Sequence, residues 1–205
     1  MLKRILTVSL FTVILGLVIA QRFFSLPPEL VVRIGGGAGE DAGYGFGNSL
    51  QRGSIIETGD GFLEVKIGKT ADLHASETTI WLSKNTRIEL HRLYEDELVI
   101  RLKKGRIVVS TQAENPLTIE TNYTSSIVYQ DTASFINYDF LETIQIIPLT
   151  GVVQTTLKSS NESLLTPTPI SIHETDPVSV DAIEVNLEAG DSAEFYEWSG
   201  VLSDK

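Results

Sequence analysis

Leu98-Val99-Ile100-Arg101-Leu102-Lys103-Lys104-Gly105-Arg106-Ile107-Val108-Val109-Ser110-Thr111 decides the fold class of this chain. It holds two short runs rich in branched apolar residues, separated by Lys104-Gly105. β-branched enrichment with period-two texture marks a strand, and a Lys-Gly pair between two such runs reads as a turn. The stretch therefore predicts two strands. Leu63-Glu64-Val65-Lys66-Ile67 alternates apolar and polar strictly, and Thr86-Arg87-Ile88-Glu89-Leu90 does so if Thr86 shares the apolar face. Alternation of this kind places one face on a core and the other in water.

The same texture recurs at 117–121, 126–129, 133–138, 143–147 and 152–156. Turn signals separate the runs: Gly59-Asp60-Gly61, Tyr94-Glu95-Asp96-Glu97, Glu114-Asn115-Pro116 and Thr150-Gly151. The pattern predicts an all-β domain over residues 50–196, a sandwich or solenoid-like roll of about ten to twelve short strands. Residues 158–181 are rich in Ser, Thr and Pro, and read as an irregular loop within it. The runs 182–187 and 192–196 read as returning strands, and 197–205 as a tail.

The domain is preceded by a segment of another kind. Lys3 and Arg4 lead into an apolar stretch from Ile5 to Ala20. As a helix these residues span about 24 Å, close to the ~30 Å hydrocarbon core. Arg22 can snorkel beside Phe23 and Phe24 at the interface. Residues 1–24 thus read as a transmembrane signal anchor with its N-terminus in the cytoplasm. Val18 and Ala20 leave open a signal peptide cleaved after Ala20, which would make the body a secreted protein. Either way the domain is exported. Pro27 and Pro28 end the helix, and seven glycines between Gly35 and Asn48 make 25–49 a Pro/Gly-rich linker. No Gly-Lys-Ser/Thr accompanies them, so they do not read as a nucleotide loop.

Composition narrows the function. Apolar residues make up 42% of the chain, enough for a core. The formal net charge is −11, and three of the 16 basic residues lie in the anchor segment; the rest of the chain carries 13 basic against 27 acidic residues, or −14. An acidic body repels phosphate backbones, so nucleic acid is not an expected partner. The absence of cysteine excludes disulfides, thiolate zinc sites and cysteine nucleophiles.

The residues that offer chemistry each have a plainer reading. His74, His91 and His173 make a metal site only if the fold gathers them with a carboxylate. Glu57 and Asp60 suit acid–base work or calcium, but Asp60-Gly61 also makes a hairpin turn. Glu95-Asp96-Glu97 reads as a solvated tip, and Lys103, Lys104 and Arg106 as strand-end charges that discourage edge pairing. Trp81, Trp198, Tyr94 and Tyr123 are candidates for a sugar- or peptide-binding face, with Trp81 more in keeping with a core. Asn122-Tyr123-Thr124 and Asn161-Glu162-Ser163 fit the N-glycosylation pattern. No catalytic, cofactor or metal residue is assigned.

Several runs together resemble one family. Ser54-Ile55-Ile56-Glu57-Thr58-Gly59-Asp60-Gly61-Phe62-Leu63-Glu64-Val65 resembles the opening of a FecR-type extracytoplasmic domain. Thr79 to Leu90, with its Asn85-Thr86 corner, resembles the next unit, and Leu102-Lys103-Lys104-Gly105-Arg106-Ile107-Val108-Val109 the "Leu…Gly-x-Val-x-Val" unit. Residues 116–121, Gly151-Val152-Val153 and Leu187-Glu188-Ala189-Gly190-Asp191 resemble the later units. Asp131 stands where the family usually has glycine. The resemblance implies an all-β envelope domain. In the iron-transport regulators of that family a cytoplasmic sigma-factor-binding segment precedes the membrane helix; here only Met1 to Arg4 stand there.

The expected function is a membrane-tethered, non-enzymatic domain that binds or scaffolds an envelope protein or a surface polymer. The alternative is a transmembrane signalling component acting through a membrane partner or regulated proteolysis.

Overall fold

The computed structural model describes residues 28–38, 44–140, 143–173, 175, 178–186 and 191–200. The apolar segment 5–20, Leu187 and the end of the tail lie outside the described residues. Among those residues no helix is long and apolar enough to cross a membrane.

The described chain is a sandwich of fifteen strands closed by one short helix. The strands are β1 (Val31–Ala38), β2 (Ser49–Leu50), β3 (Ile55–Glu57), β4 (Phe62–Gly68), β5 (Thr78–Leu82), β6 (Arg87–Tyr94), β7 (Glu97–Thr111) and β8 (Leu117–Glu120). They continue as β9 (Thr124–Val128), β10 (Thr132–Phe140), β11 (Thr143–Thr150), β12 (Val153–Leu157), β13 (Ser163–Thr166), β14 (Ile170–His173) and β15 (Ser179–Ala182); helix α1 is Asp191–Ser199. One sheet, the open sheet, runs β3-β6-β7-β8-β9-β12-β13. The other, the covered sheet, runs β2-β1-β4-β5-β7-β10-β11-β14-β15.

β7 belongs to both sheets, and its geometry follows from chain length alone. Leu98 lies beside Leu117 in the parallel pair β7–β8. Six steps of the chain link Thr111 to Leu117, a reach of at most ~23 Å. A straight strand would carry Thr111 ~43 Å from Leu98. β7 must therefore fold back on itself, and it does so at Gly105, whose φ is +97°. Before the bend it pairs with β6 and β8; after it, with β5 and β10. Strands that change sheets through a bend are the corners of sandwich folds. Lys104-Gly105 is thus a corner inside one long strand, and not a turn between two hairpin strands, because each half finds its partners elsewhere.

The corner is built on a threonine. A Cβ on Gly105 would stand 2.5 Å from Thr86 Cα. Thr86 is fully buried; its Oγ1 accepts from Arg106 N at 3.0 Å and donates to Arg106 O at 3.1 Å. Thr58 Oγ1 accepts from Thr86 N at 2.8 Å and donates to Ser83 O at 2.6 Å. A second corner repeats the device. Gly151 (φ +71°), between β11 and β12, lies against Thr132, where an added Cβ would meet Oγ1 at 2.4 Å. Asn85 and Asp131, each preceding its threonine, both have φ of 57°. Asn and Asp tolerate this left-handed conformation better than other side chains. Asp131 therefore makes this positive-φ turn without a glycine. Thr58 to Gly61 carries the chain from the open sheet to the covered one, so Asp60-Gly61 is a crossing and not a hairpin turn.

One core lies between the sheets. Ile56, Leu90, Ile100, Ile119 and Val153 face it from the open sheet; Val32, Val65, Ile80, Ile107, Ile136 and Ile146 face it from the covered sheet. Three sequence expectations change. The expected linker contains β1, whose Val32 and Ile34 are buried opposite Ile67 and Val65; burial of these side chains offsets the backbone entropy of the glycines that follow. The expected loop 158–181 contains β13, β14 and β15, with Thr166, Ser171 and Ile172 buried; Pro167 and Pro169 sit at the crossing between sheets, outside the ladders. These additions raise the strand number to fifteen. The third change is at the C-terminus. Strand pairing ends at Ala182, Val185 is exposed, and the run expected as strand 192–196 is helical.

α1 has Glu194 in its first turn, where the helix dipole favours an anion, and is followed by Gly200 at φ +70°. It presses Phe195 and Tyr196 onto the outer surface of the covered sheet, against Phe62, Val108, Phe135 and Ile147. Phe62 lies tilted against Phe195 (5.5 Å) and Trp198 (5.4 Å), which stack on each other at 6.5 Å, and Phe135 lies 5.2 Å from Tyr196. The Tyr196 hydroxyl is buried without a hydrogen-bond partner, and burial pushes its pKa up strongly.

Two predictions follow from this packing. Gly105→Ala is expected to destabilise the domain by about 2–4 kcal/mol, against about 1 kcal/mol for Gly53→Ala, where φ is +83° but space is open. Equal losses in urea unfolding would show that contact with Thr86 is not what the corner depends on. Tyr196→Phe removes an unpaired buried hydroxyl and is expected to stabilise by about 1 kcal/mol; a loss of stability of that size would show that the hydroxyl has a partner.

Candidate binding face

The two outer surfaces of the sandwich differ. The covered sheet carries α1. The open sheet has no helix over it among the described residues, and its outward side chains form rows set by strand register. One row reads Ile55–Glu89–Arg101–Glu120–Ser125–Thr156–Ser163 across seven strands. Directly opposed side chains of unlike charge attract, so register alone makes Glu–Arg–Glu a ladder.

The contacts bear this out. Arg101 Nε donates to Glu120 Oε2 at 3.0 Å, and Arg101 NH1 lies 3.6 Å from Glu89. Lys103 Nζ stands 3.0 Å from Glu89 Oε2. One strand over, Glu57 takes Lys104 Nζ at 3.0 Å and Arg87 Nε at 3.9 Å. His91 Nε2 lies 2.8 Å from an Arg101 amino group, and its Nδ1 is 3.6 Å from Glu89. Around Arg101 the carboxylates lie innermost: Glu89 and Glu120 side chains are 22% and 27% exposed, against 35% and 39% for Arg101 and Lys103, whereas Glu57 is 49% exposed, like its partners Lys104 and Arg87. The Glu89–Arg101–Glu120 part of the face therefore presents cations outward in a chain whose net charge is −11.

These contacts shift the carboxylates. The hydrogen bond from Lys104 holds Glu57 below its ordinary pKa, and that from Lys103 does the same for Glu89. Burial pushes Glu120 up, but the hydrogen bond from Arg101 and the charges of Lys158 and Arg101 outweigh it, so its pKa is also lowered.

Two cavities among the described residues are lined by charged side chains. One, of about 230 Å³, opens on this face among Arg101, Lys103, Glu120, Thr121, Asn122 and Lys158. The other, of about 300 Å³, lies at the end of the sandwich. There Lys69 Nζ sits 2.6 Å from Glu95 and 3.9 Å from Glu77, and its pKa is raised by the Glu95 contact foremost. One lysine faces three carboxylates there, Glu77, Glu95 and Glu114, so that end stays acidic.

The residues singled out from sequence scatter. His74 is exposed in a 3₁₀ turn, His91 is on the open sheet, and His173 is on β14 beside Thr143 and Ser171. Among the described residues no group of three His, Asp or Glu could hold a metal ion. Glu57 is held in the ladder, whereas Asp60 is exposed at the crossing between sheets. Glu95-Asp96-Glu97 is the tip of the β6–β7 hairpin. Lys103 and Lys104, read as charges at a turn, instead lie within β7 and join the ladder. Trp81 and Trp198 both pack in the aromatic cluster under α1, not on an open binding face. Tyr94 stacks with Arg52 (5.4 Å), and Tyr123 meets Tyr138 edge-on at 6.2 Å. Asn122 is exposed at the cavity rim, but Thr124 of its glycosylation pattern is fully buried and bonded to Thr121 at 2.9 Å; Asn161 is exposed with φ 56°. Glu89, Arg101, Glu120 and Lys158 were missed. Their signal was the outward register of alternating strands, visible only once the strands are paired.

No protein-family model and no curated protein matches the chain. Two crystal structures, at 1.65 Å and 2.50 Å resolution, of a putative anti-sigma factor from Parabacteroides distasonis are similar to part of the chain. Each aligns over 64% of this chain with 14% identity and a TM-score of 0.48. The chain spans 60% of that protein's length.

The lowered carboxylates set a pH dependence. Their contribution to stability is complete above the unfolded-state value of about 4.3 and is lost as pH falls through the lower folded values. Glu89→Gln is expected to cost about 0.5–1 kcal/mol at pH 7 and less at pH 3, read by urea unfolding at both. A cost that is the same at both pH values would show that the ladder adds nothing.

Proposed function

We propose that this chain is a membrane-tethered, non-enzymatic extracytoplasmic domain that binds an envelope protein or a surface polymer through the outer face of its open sheet. The observation that carries the reading is the asymmetry of the sandwich. One outer surface is spent on packing α1, whereas the other holds an ordered, cation-topped ladder in the open. Charges fixed by mutual pairing are pre-organised, which lowers the entropy cost of binding.

The tether is the apolar segment 5–20, with the domain outside the cytoplasm. Thr58-Gly59, Asn85-Thr86 and Gly105, which carry the FecR resemblance, meet at one scaffold corner. They bear on the fold, and function belongs to the surface grafted on it. The signalling alternative differs only in what the bound partner does next.

The test is photo-crosslinking in intact cells, with a crosslinking residue at Glu120 on the open face or at Glu197 on α1. Adducts from position 120 and none from 197 are expected. Adducts from 197 alone, or from both equally, would overturn the assignment of the face.

A further inference from the structure

We propose that the 230 Å³ cavity on the open face is an anion site that holds one acidic group, a carboxylate or a phosphate, of a linear anionic surface polymer. The inference rests on the preceding reading and names the ligand's chemistry.

The cavity is formed where three parts of the chain meet. β7 supplies Arg101 and Lys103, the β8–β9 turn supplies Thr121 and Asn122, and the β12–β13 turn supplies Lys158. That last turn is docked: Lys158 N donates to Tyr123 O at 2.8 Å, and Lys158 Nζ donates to Thr121 O at 2.7 Å. Lys158 is thereby held in place by bonds to neutral carbonyls, and among the described residues no carboxylate is bonded to its ammonium. An ammonium has three N–H groups. Lys158 uses one on Thr121, and Lys103 uses one on Glu89, so both keep donors to offer. Three cations, Arg101, Lys103 and Lys158, stand beside two carboxylates, Glu120 and Glu89, which Arg101 and Lys103 engage. The surplus of one positive charge, on Lys158, is local, in a body that is strongly acidic.

The polymer is favoured over an acidic protein by what lines the cavity. Leu102 is its one apolar residue, and Leu102 is 1% exposed. Protein interfaces centre on desolvated apolar or aromatic anchors, and the cavity offers none. It offers charge and hydrogen-bonding groups instead. The cations also continue past it. Lys104 and Arg87 follow Lys103 towards β6, each held on Glu57. Neighbouring strands stand ~4.8 Å apart, so the row can meet repeated charges on an extended chain.

The test uses the full-length chain in nanodiscs of zwitterionic lipid, which supply no anionic surface. Polygalacturonate (carboxylate) and polyphosphate are titrated by calorimetry at low and at physiological salt. Saturable binding to at least one polymer is expected, weakening with salt and falling about tenfold in a Lys103→Ala/Lys158→Ala variant. Lys66→Ala, on the outer side of the covered sheet beside Glu64, is the control and is expected to bind as the parent does. The preference between the polymers identifies the acidic group. Absence of binding to both, or an equal loss in Lys66→Ala, would overturn the inference. Thermal unfolding of the double variant guards against misfolding, and if it unfolds early, Lys158→Gln alone replaces it with the same expected direction. A null titration with protein adducts still forming at position 120 would sink the anion site alone; a null titration without adducts there would sink the binding face as well.

Discussion

The contact of Gly105 with Thr86 is the constraint on which the rest of the molecule depends. A strand from Glu97 to Thr111 cannot be straight and still deliver Leu117 to the side of Leu98. The bend needs a positive φ and a backbone approach that no side chain permits. Thr86 supplies the matching surface, with a hydroxyl that satisfies both backbone groups of Arg106. Thr58 extends this polar knot to the neighbouring crossing. The same arrangement of a left-handed Asn or Asp, a threonine and a glycine recurs at Asp131, Thr132 and Gly151. Two such corners fold one hydrogen-bonded ribbon into two layers.

Folding the ribbon over creates the two outer surfaces and sets their difference. After the bend, β7 turns Val108 outward, next to Phe62, Phe135 and Ile147, and this apolar patch requires a cover. Helix α1 provides it. Before the bend, β7 turns Arg101 and Lys103 outward between Glu89 and Glu120. Apart from Ile55 at its end that row is polar, and its charges satisfy one another while remaining in water. One strand thus supplies the packing surface on one side and the candidate binding surface on the other.

Much of the fold is legible in the sequence because a half-buried strand writes its environment as alternation. Leu63–Ile67 and Arg87–Leu90 are read correctly for that reason. β1 and β13 to β15 are hidden because glycine and proline signal irregular backbone locally, whereas long-range pairing decides. α1 is hidden because Phe195 and Tyr196 suit either period over so few residues. The clue lay elsewhere, in Ile107-Val108-Val109, Phe135-Ile136 and Ile146-Ile147. These runs are apolar on both parities, which means that both faces of the sheet are covered there. The open face is the least legible part. Glu89, Arg101 and Glu120 lie on three strands, and only pairing brings them together. Lys103 and Lys104 carry a turn-like signature that the bend at Gly105 reproduces without being a turn.

The central claim is that residues 97–111 are one strand shared by two sheets. Backbone nuclear Overhauser contacts across strands test it most directly. The account predicts contacts of Leu98 with Leu117 in a parallel pattern, and of Val108 with both Trp81 and Phe135 in antiparallel patterns. Contacts of residues 98–103 with 106–111, as in a hairpin closed by Lys104-Gly105, would contradict it.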